Sequence, residues 1–212
     1  MKRVTLVAGL LAMAAAPAAA QLAGMPVWNS PKGGSGITIS GDYGSPNADA
    51  GGGNAFGVRG TLGLANLALT AGMSSYKPSG ASNSATSIGG NATFRVIGGS
   101  LLPVAINLQV GAASITASGS PNVLGIIAGG GISAAVPTPG VSVEPYLSVT
   151  NRWSKVSGIS GTTSEIGWTI GANVGMGMFG FHVAYDSQDY GGTTGGIIGL
   201  GAHVSLKAPI GL

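Results

Sequence analysis

The 212-residue chain contains no cysteine. That excludes a disulfide framework, a thiolate metal site and a cysteine nucleophile, and it suits a protein that passes unfolded through an oxidising compartment. Charge is also scarce. Lys, Arg, Asp and Glu make up 7% of the residues, against about 25% in a soluble globular domain. A water-soluble chain of this length would need far more charge on its outside. The two histidines, with no third ligand at a suitable spacing, do not make a zinc site. No basic cluster of the kind that holds phosphates is present, so no nucleic-acid partner is expected. Nor does any apolar run reach the roughly 20 residues of a membrane helix. What is abundant is glycine, 40 residues, beside 44% apolar residues. There is no collagen period, and the apolar content is too high for a disordered chain. Something other than water must cover much of the apolar surface.

The first twenty residues read as an export signal. Lys2 and Arg3 precede an apolar stretch from Val4 to Ala16, and Ala18-Ala19-Ala20 before Gln21 is a small-residue cleavage site. Without Lys2 and Arg3, seven Lys and Arg face six Asp and Glu. The basic balance therefore belongs partly to the signal.

From residue 36 onward the sequence alternates with period two. Ile37, Ile39 and Tyr43 oppose Thr38, Ser40 and Asp42; Phe56, Val58, Leu62 and Leu64 oppose Gly57, Arg59 and Thr61. The same alternation recurs over 67–73, 88–96, 104–110, 141–153, 165–176, 179–186 and 198–207. Over 122–136 it is less clean, though Leu124, Ile126, Ala128, Ile132 and Ala134 share a parity. Period two repeated ten times is a strand signal. Short links near 65–66, 98–103, 137–140 and 177–178 take turns with longer polar ones near 45–54, 77–85, 116–122, 154–163 and 187–195. Aromatics on the apolar parity fall at strand ends. Tyr43, Phe56, Trp153, Trp168 and Tyr185 lie towards the long loops, and Phe94, Phe179 and Phe181 towards the short turns. Such bands are the girdles that hold amphipathic rings at headgroup level. Charged and His residues within the strands fall on the polar parity, as a bilayer enforces at about 2–4 kcal/mol for a lipid-facing charge at the midplane.

The expected fold is an all-β, antiparallel, up-and-down transmembrane β-barrel of about ten strands over 36–207, eight being the competing count. A closed sheet is the only one that leaves no unpaired backbone in hydrocarbon. In architecture the chain resembles the small bacterial outer-membrane β-barrel superfamily, OmpA/OmpX-like or porin-like. It departs from the family's aromatic C-terminal residue by ending Ala208-Pro209-Ile210-Gly211-Leu212. The resemblance implies a monomer in outer-membrane lipid, delivered by the export and barrel-assembly machinery. The alternative is a secreted soluble β-sandwich acting as a binding or adhesion module.

The inward residues are where function would reside. Asp42, Arg59, Arg152, Glu165 and Asp186 form an expected mixed-charge layer near the outer mouth, with Arg152 across from Glu165 and Asp42 diagonal to Arg59. Arg95, Glu144, His182, His203 and Lys207 are expected lower in the lumen. Charges that pair and fill a small bore are preferred over a narrow charge-gated pore, although inward glycines such as Gly57, Gly72, Gly89, Gly129, Gly167, Gly171 and Gly201 leave room. Residues 21–35, with Trp28 and Pro31-Lys32-Gly33-Gly34, read as a periplasmic lead-in, a short plug entering the lumen being the other reading. The resemblance extends to the ten-stranded omptin proteases, but His182 and Asp186, four residues apart on a strand, are about 13 Å apart. That is too far for acid–base work. A barrel phospholipase would need lipid-facing His and Ser, and His182 and His203 point inward. The stretch Gly175–Gly180 matches G-x-G-x-x-G but joins two strands, so it is a turn rather than a nucleotide site. No catalytic residue, cofactor or metal is expected.

Overall fold

The computed structural model describes residues 21–98, 102–189 and 192–206. The expected signal segment, Lys207 and the 208–212 tail lie outside the described residues. The strands are β1 (Gly36–Pro46), β2 (Asn54–Leu64), β3 (Leu67–Lys77), β4 (Ala85–Ile97), β5 (Val104–Ala117), β6 (Val123–Ala134, resuming as Val136–Thr138), β7 (Val141–Val156), β8 (Thr163–Met176), β9 (Phe179–Asp189) and β10 (Thr194–Leu206). Both parts of β6 pair with β7, so the sheet has ten strands. Each pairs antiparallel with the next, and β10 returns to β1 with Ile37 opposite Leu206 and Pro46 opposite Ile197. The sheet is closed, which overturns the β-sandwich alternative: a sandwich needs two facing sheets, and here one sheet meets itself.

Several strands run further than the alternation predicts. β5 continues from 110 to 117, β4 starts at 85 rather than 88, and β10 at 194 rather than 198. The added residues are largely Gly, Ala, Ser and Thr, whose weak polarity contrast hides the period while the hydrogen-bond ladder continues. The 98–103 link is consequently no shorter than the one over 118–122. The asymmetry between the ends rests on the two-residue turns at 65–66, 139–140 and 177–178.

The outer face is a belt of exposed apolar side chains, among them Ile39, Val58, Leu108, Ile166, Val183 and Leu200. Such a band around a closed sheet is the lipid-facing surface of a membrane barrel. Within the described strands, the charges on the outward parity, Lys77, Lys155 and Asp189, sit at the long-loop ends beyond the belt.

Residues 21–32 correct the lead-in expectation. They run inside the barrel, from Gln21 in the long-loop half down to Lys32, and leave through Gly33–Ser35 at the short-turn rim to begin β1. Gln21, Ala23, Met25, Val27, Trp28 and Asn29 are all buried. The reason lies on the lumen wall. Tyr76, Ile115, Val123 and Ile127 point inward, and the plug covers them: Leu22, Ala23 and Met25 cluster with Tyr76, Ile115 and Val123, and Val27 packs on Ile127. Inward Val123 and Ile127 are also what blurred the alternation over 122–136.

The inward glycines therefore mark close approach rather than empty space. A Cβ on Gly44 would lie 2.0 Å from the Gly24 carbonyl oxygen, and one on Gly199 2.4 Å from Pro26 Cγ. A Cβ on Gly131 would lie 2.3 Å from Asn29 Nδ2, and one on Gly63 2.2 Å from the Gly34 oxygen. Four separate strands thus give up a side chain where the plug passes. Gly199→Leu should destabilise the folded barrel by about 1–3 kcal/mol through overpacking, whereas Gly41→Leu, at a site with nothing within 4 Å, should leave it unchanged. Urea unfolding of both variants in lipid vesicles checks this; equal midpoints would mean that the plug does not occupy the wall at Gly199.

Candidate functional site

Three polar anchors hold the plug along its length. The uppermost is Arg152 with Asp186, a two-point pair with Nη1–Oδ1 at 2.8 Å and Nη2–Oδ2 at 2.9 Å, each side chain 1% exposed. Thr169 donates to Asp186, and Arg152 donates to Thr150 and Gln188. Into this network the plug places Gln21, whose Oε1 accepts from Arg152 at 2.9 Å, and the Val27 backbone N–H, which donates to Asp186 at 3.2 Å. Arg152 belongs to β7 and Asp186 to β9. The guanidinium spans the strand between them by lying across Gly167, where a Cβ would be 2.2 Å from Arg152 Cζ.

The middle anchor uses the same device. Arg59 Nε donates to Asp42 at 2.6 Å, and His182 Nε2 lies 2.6 Å from the other carboxylate oxygen. His182 on β9 reaches Asp42 on β1 across Gly201 of β10, where a Cβ would be 2.0 Å from the imidazole. A neutral His182 that donates from Nε2 to Asp42 leaves Nδ1 to accept from His203 Nδ1–H, 3.3 Å away. Trp28 of the plug stands edge-on to His182, ring centroids 4.5 Å apart, with the Arg59 guanidinium 5.2 Å from its ring centre.

At the lower anchor Glu144 accepts from Ser30 Oγ and the Lys32 N–H of the plug, both at 2.7 Å, and from Ser133 and Asn173 of the wall. Asn29 and Asn107 exchange amide hydrogen bonds at 2.8 and 3.2 Å. Arg95 stands at the rim and donates to the Lys32 carbonyl and to Asn66.

The expected charge layer is thus divided differently from the sequence reading. Glu165 does face Arg152 in register, but its carboxylate forms no hydrogen bond among the described residues, and Arg152 turns to Asp186. His182 and Asp186 are held in separate clusters, His182 with Asp42 and Asp186 with Arg152. The eight aromatics expected in the girdles lie on the outer face, whereas Tyr76 and Tyr146 are buried in the lumen. Tyr43 packs on Phe56 at 5.3 Å and Trp168 on Tyr185 at 5.6 Å near the long loops. Gln21, Asn29, Asn107, Thr169 and Gln188 were not singled out from the sequence. The one sequence signal that could have found the plug is the set of apolar residues on the lumen parity, Tyr76, Ile115 and Ile127, which require a cover.

Beside the lower part of the plug, between Trp28 and the short-turn rim, lies a cavity of about 1120 Å³. Its wall carries hydroxyls and amides from many strands, including Thr38, Thr61, Thr70, Asn91, Thr93 and Ser205. No group of three or more metal-ligating residues occurs among the described residues.

The fold and site together define a membrane β-barrel that holds an internal segment in its lumen. No protein-family model and no curated protein sequence matches the chain. Solved structures share its fold. The β domain of the Bordetella autotransporter BrkA is 10% identical with a TM-score of 0.53, covering 82% of this chain and 100% of that one. The N-terminal β-barrel domain of Pseudomonas aeruginosa OprF is 12% identical, TM-score 0.39, over 82% and 99% of the two chains. The KdgM porin is 11% identical, TM-score 0.41, over 80% and 99%.

Arg152→Met leaves the Asp186 carboxylate buried without its cation and should cost about 3–5 kcal/mol of stability. Adding Asp186→Leu removes the stranded charge and should recover part of the loss. Urea unfolding in vesicles reads both, and a double variant no more stable than Arg152→Met would refute the pairing as the source.

Proposed function

We propose that this protein is an integral barrel of the bacterial outer membrane whose lumen is closed by its own N-terminal segment, so that it does not conduct ions as folded. The single observation that carries this reading is the placement of residues 21–32 inside the bore, tied to three strand-borne anchors and matched by wall glycines. An open pore would need a continuous aqueous path, and the upper lumen is instead occupied by buried side chains. The short turns are assigned to the periplasmic side, as in bacterial barrels generally, so the cavity beside the lower plug faces the periplasm. Residues 1–20 act as the export signal, cleaved near Ala20, and the barrel-assembly machinery inserts the mature chain. All strand edges are paired, which suits a monomer. Asp42, Glu144, Asp186, His182 and His203 are committed to one another, to the wall and to the plug, and the protein works without catalytic chemistry.

Two measurements test this. In fractionated envelopes the protein should migrate with the outer membrane and show a heat-dependent shift on electrophoresis; an unshifted soluble band would reject it. In planar bilayers the intact protein should give no steady current, whereas a variant lacking residues 21–34 of the mature chain should conduct. Steady conductance by the intact protein would overturn the plugged reading.

A further inference from the structure

The plug starts at the residue that follows Ala18-Ala19-Ala20, so removal of residues 1–20 makes Gln21 the first residue of the mature chain. A glutamine in first position can react with its own terminus. The freed α-amine attacks the side-chain carboxamide carbon, and a new C–N bond closes a γ-lactam. The Cδ–Nε2 bond breaks, and Nε2 leaves as ammonia carrying the proton that the attacking nitrogen gives up. Atoms and electrons balance without an oxidant, a reductant or a co-reactant.

The surroundings of Gln21 distinguish the open terminus from the closed one. Its amide lies against the buried Arg152–Asp186 pair. Oε1 accepts from Arg152 Nη1 at 2.9 Å, Nε2 donates to Asp186 Oδ1 at 3.2 Å, and that Nη1 and Oδ1 are themselves 2.8 Å apart. These four atoms close a ring of hydrogen bonds on one edge of the amide. Nε2 also donates to the Met25 carbonyl. The Asp186 carboxylate is fully used: Arg152 donates to both of its oxygens, and Gln21, Val27 and Thr169 donate as well, against about four lone-pair sites. An open terminus would add an α-ammonium within one side chain's length of the Arg152 guanidinium. Two cations would then share one saturated carboxylate in a buried network, where uncompensated charge is strongly disfavoured.

We propose that Gln21 is a modification site, and that the mature chain begins with a pyroglutamyl lactam docked on the Arg152–Asp186 pair. This rests on the reading that residues 1–20 are a cleaved export signal. Closure removes the terminal charge. A lactam is a cis amide, so its C=O and N–H share one edge, the arrangement that Arg152 Nη1 and Asp186 Oδ1 receive. The contact given up is the one to the Met25 carbonyl, a smaller loss than a stranded buried cation.

The test is mass spectrometry of the protein purified from outer membranes of cells expressing the full precursor. The terminal peptide should be lighter by one ammonia than a chain starting with an open Gln21. It should resist stepwise N-terminal sequencing, and pyroglutamyl aminopeptidase acting on the unfolded chain should expose Leu22. A mature chain made with an open Gln21 should unfold in lipid vesicles at a lower urea concentration than the same chain closed beforehand by glutaminyl cyclase. A free Gln21 amine in the purified protein would overturn the proposal while upholding the cleavage. Equal urea midpoints for the open and closed chains would also overturn it, because the lumen would then not discriminate between them. A chain starting at any other residue would reject the cleavage reading, and the proposal with it.

Discussion

Backbone hydrogen bonding in hydrocarbon is the constraint on which everything else here depends. Each unpaired N–H or C=O would cost several kcal/mol in lipid, so the sheet must close. Closing ten strands fixes a bore, and the bore must then be filled. Side chains from the wall do part of this, large beside small: Arg152 over Gly167, His182 over Gly201, and Tyr146 over Gly171, where a Cβ would lie 2.6 Å from the phenol ring. The rest of the upper lumen takes the plug. The glycines that look in the sequence like an invitation to an open channel are, in the folded chain, the places where something passes closest.

The strands and their register were legible because a bilayer outside and a polar lumen inside impose opposite chemistries on alternate residues. Arg152 opposite Glu165 and Asp42 diagonal to Arg59 follow from strand parity and link position alone. The partner of Arg152 was not legible. Register gives the neighbour on the next strand, but a long side chain lying across a glycine reaches the strand after that, and only the curvature of the closed wall brings Asp186 within 2.8 Å. The same holds for His182 and Asp42. The plug was hidden for another reason: residues 21–35 have no period, and an irregular segment is recognised only by the surface it covers. Tyr76, Ile115 and Ile127 on the lumen parity were that surface, and a strand-by-strand reading treats them as noise.

The anchors differ in what they contribute. Burying Arg152 and Asp186 carries a desolvation cost that their mutual attraction offsets only with good geometry and extra hydrogen bonds, and an apolar pair of similar volume would be at least as stable. The value of the pair therefore lies in specificity. The Gln21 amide and the Val27 N–H complete hydrogen bonds that the pair needs, which fixes the depth and register of the plug. The Asn29–Asn107 amide pair and the Glu144 carboxylate fix it again at lower levels. A greasy plug held by Leu22, Met25 and Val27 alone could slide; one with polar anchors at three heights cannot without leaving buried groups unsatisfied.

The same arrangement couples the plug to closure of the barrel. The anchors come mainly from β5 to β9, with Asn107, Ser133, Glu144, Asn173 and Asp186, whereas the plug is continuous with β1. Docking it therefore draws the first strand against the wall built by the later ones. The seam that must close is β1 on β10, and the His182–Asp42 contact spans it from β9, over Gly201, to β1, with Arg59 of β2 on the far side. Four consecutive strands around the seam are thus held by one side-chain cluster, and Trp28 of the plug packs on that cluster. Plug and seam are one cooperative unit: the plug lacks its anchors until the later strands are in place, and the seam cluster lacks its aromatic cover until the plug is seated.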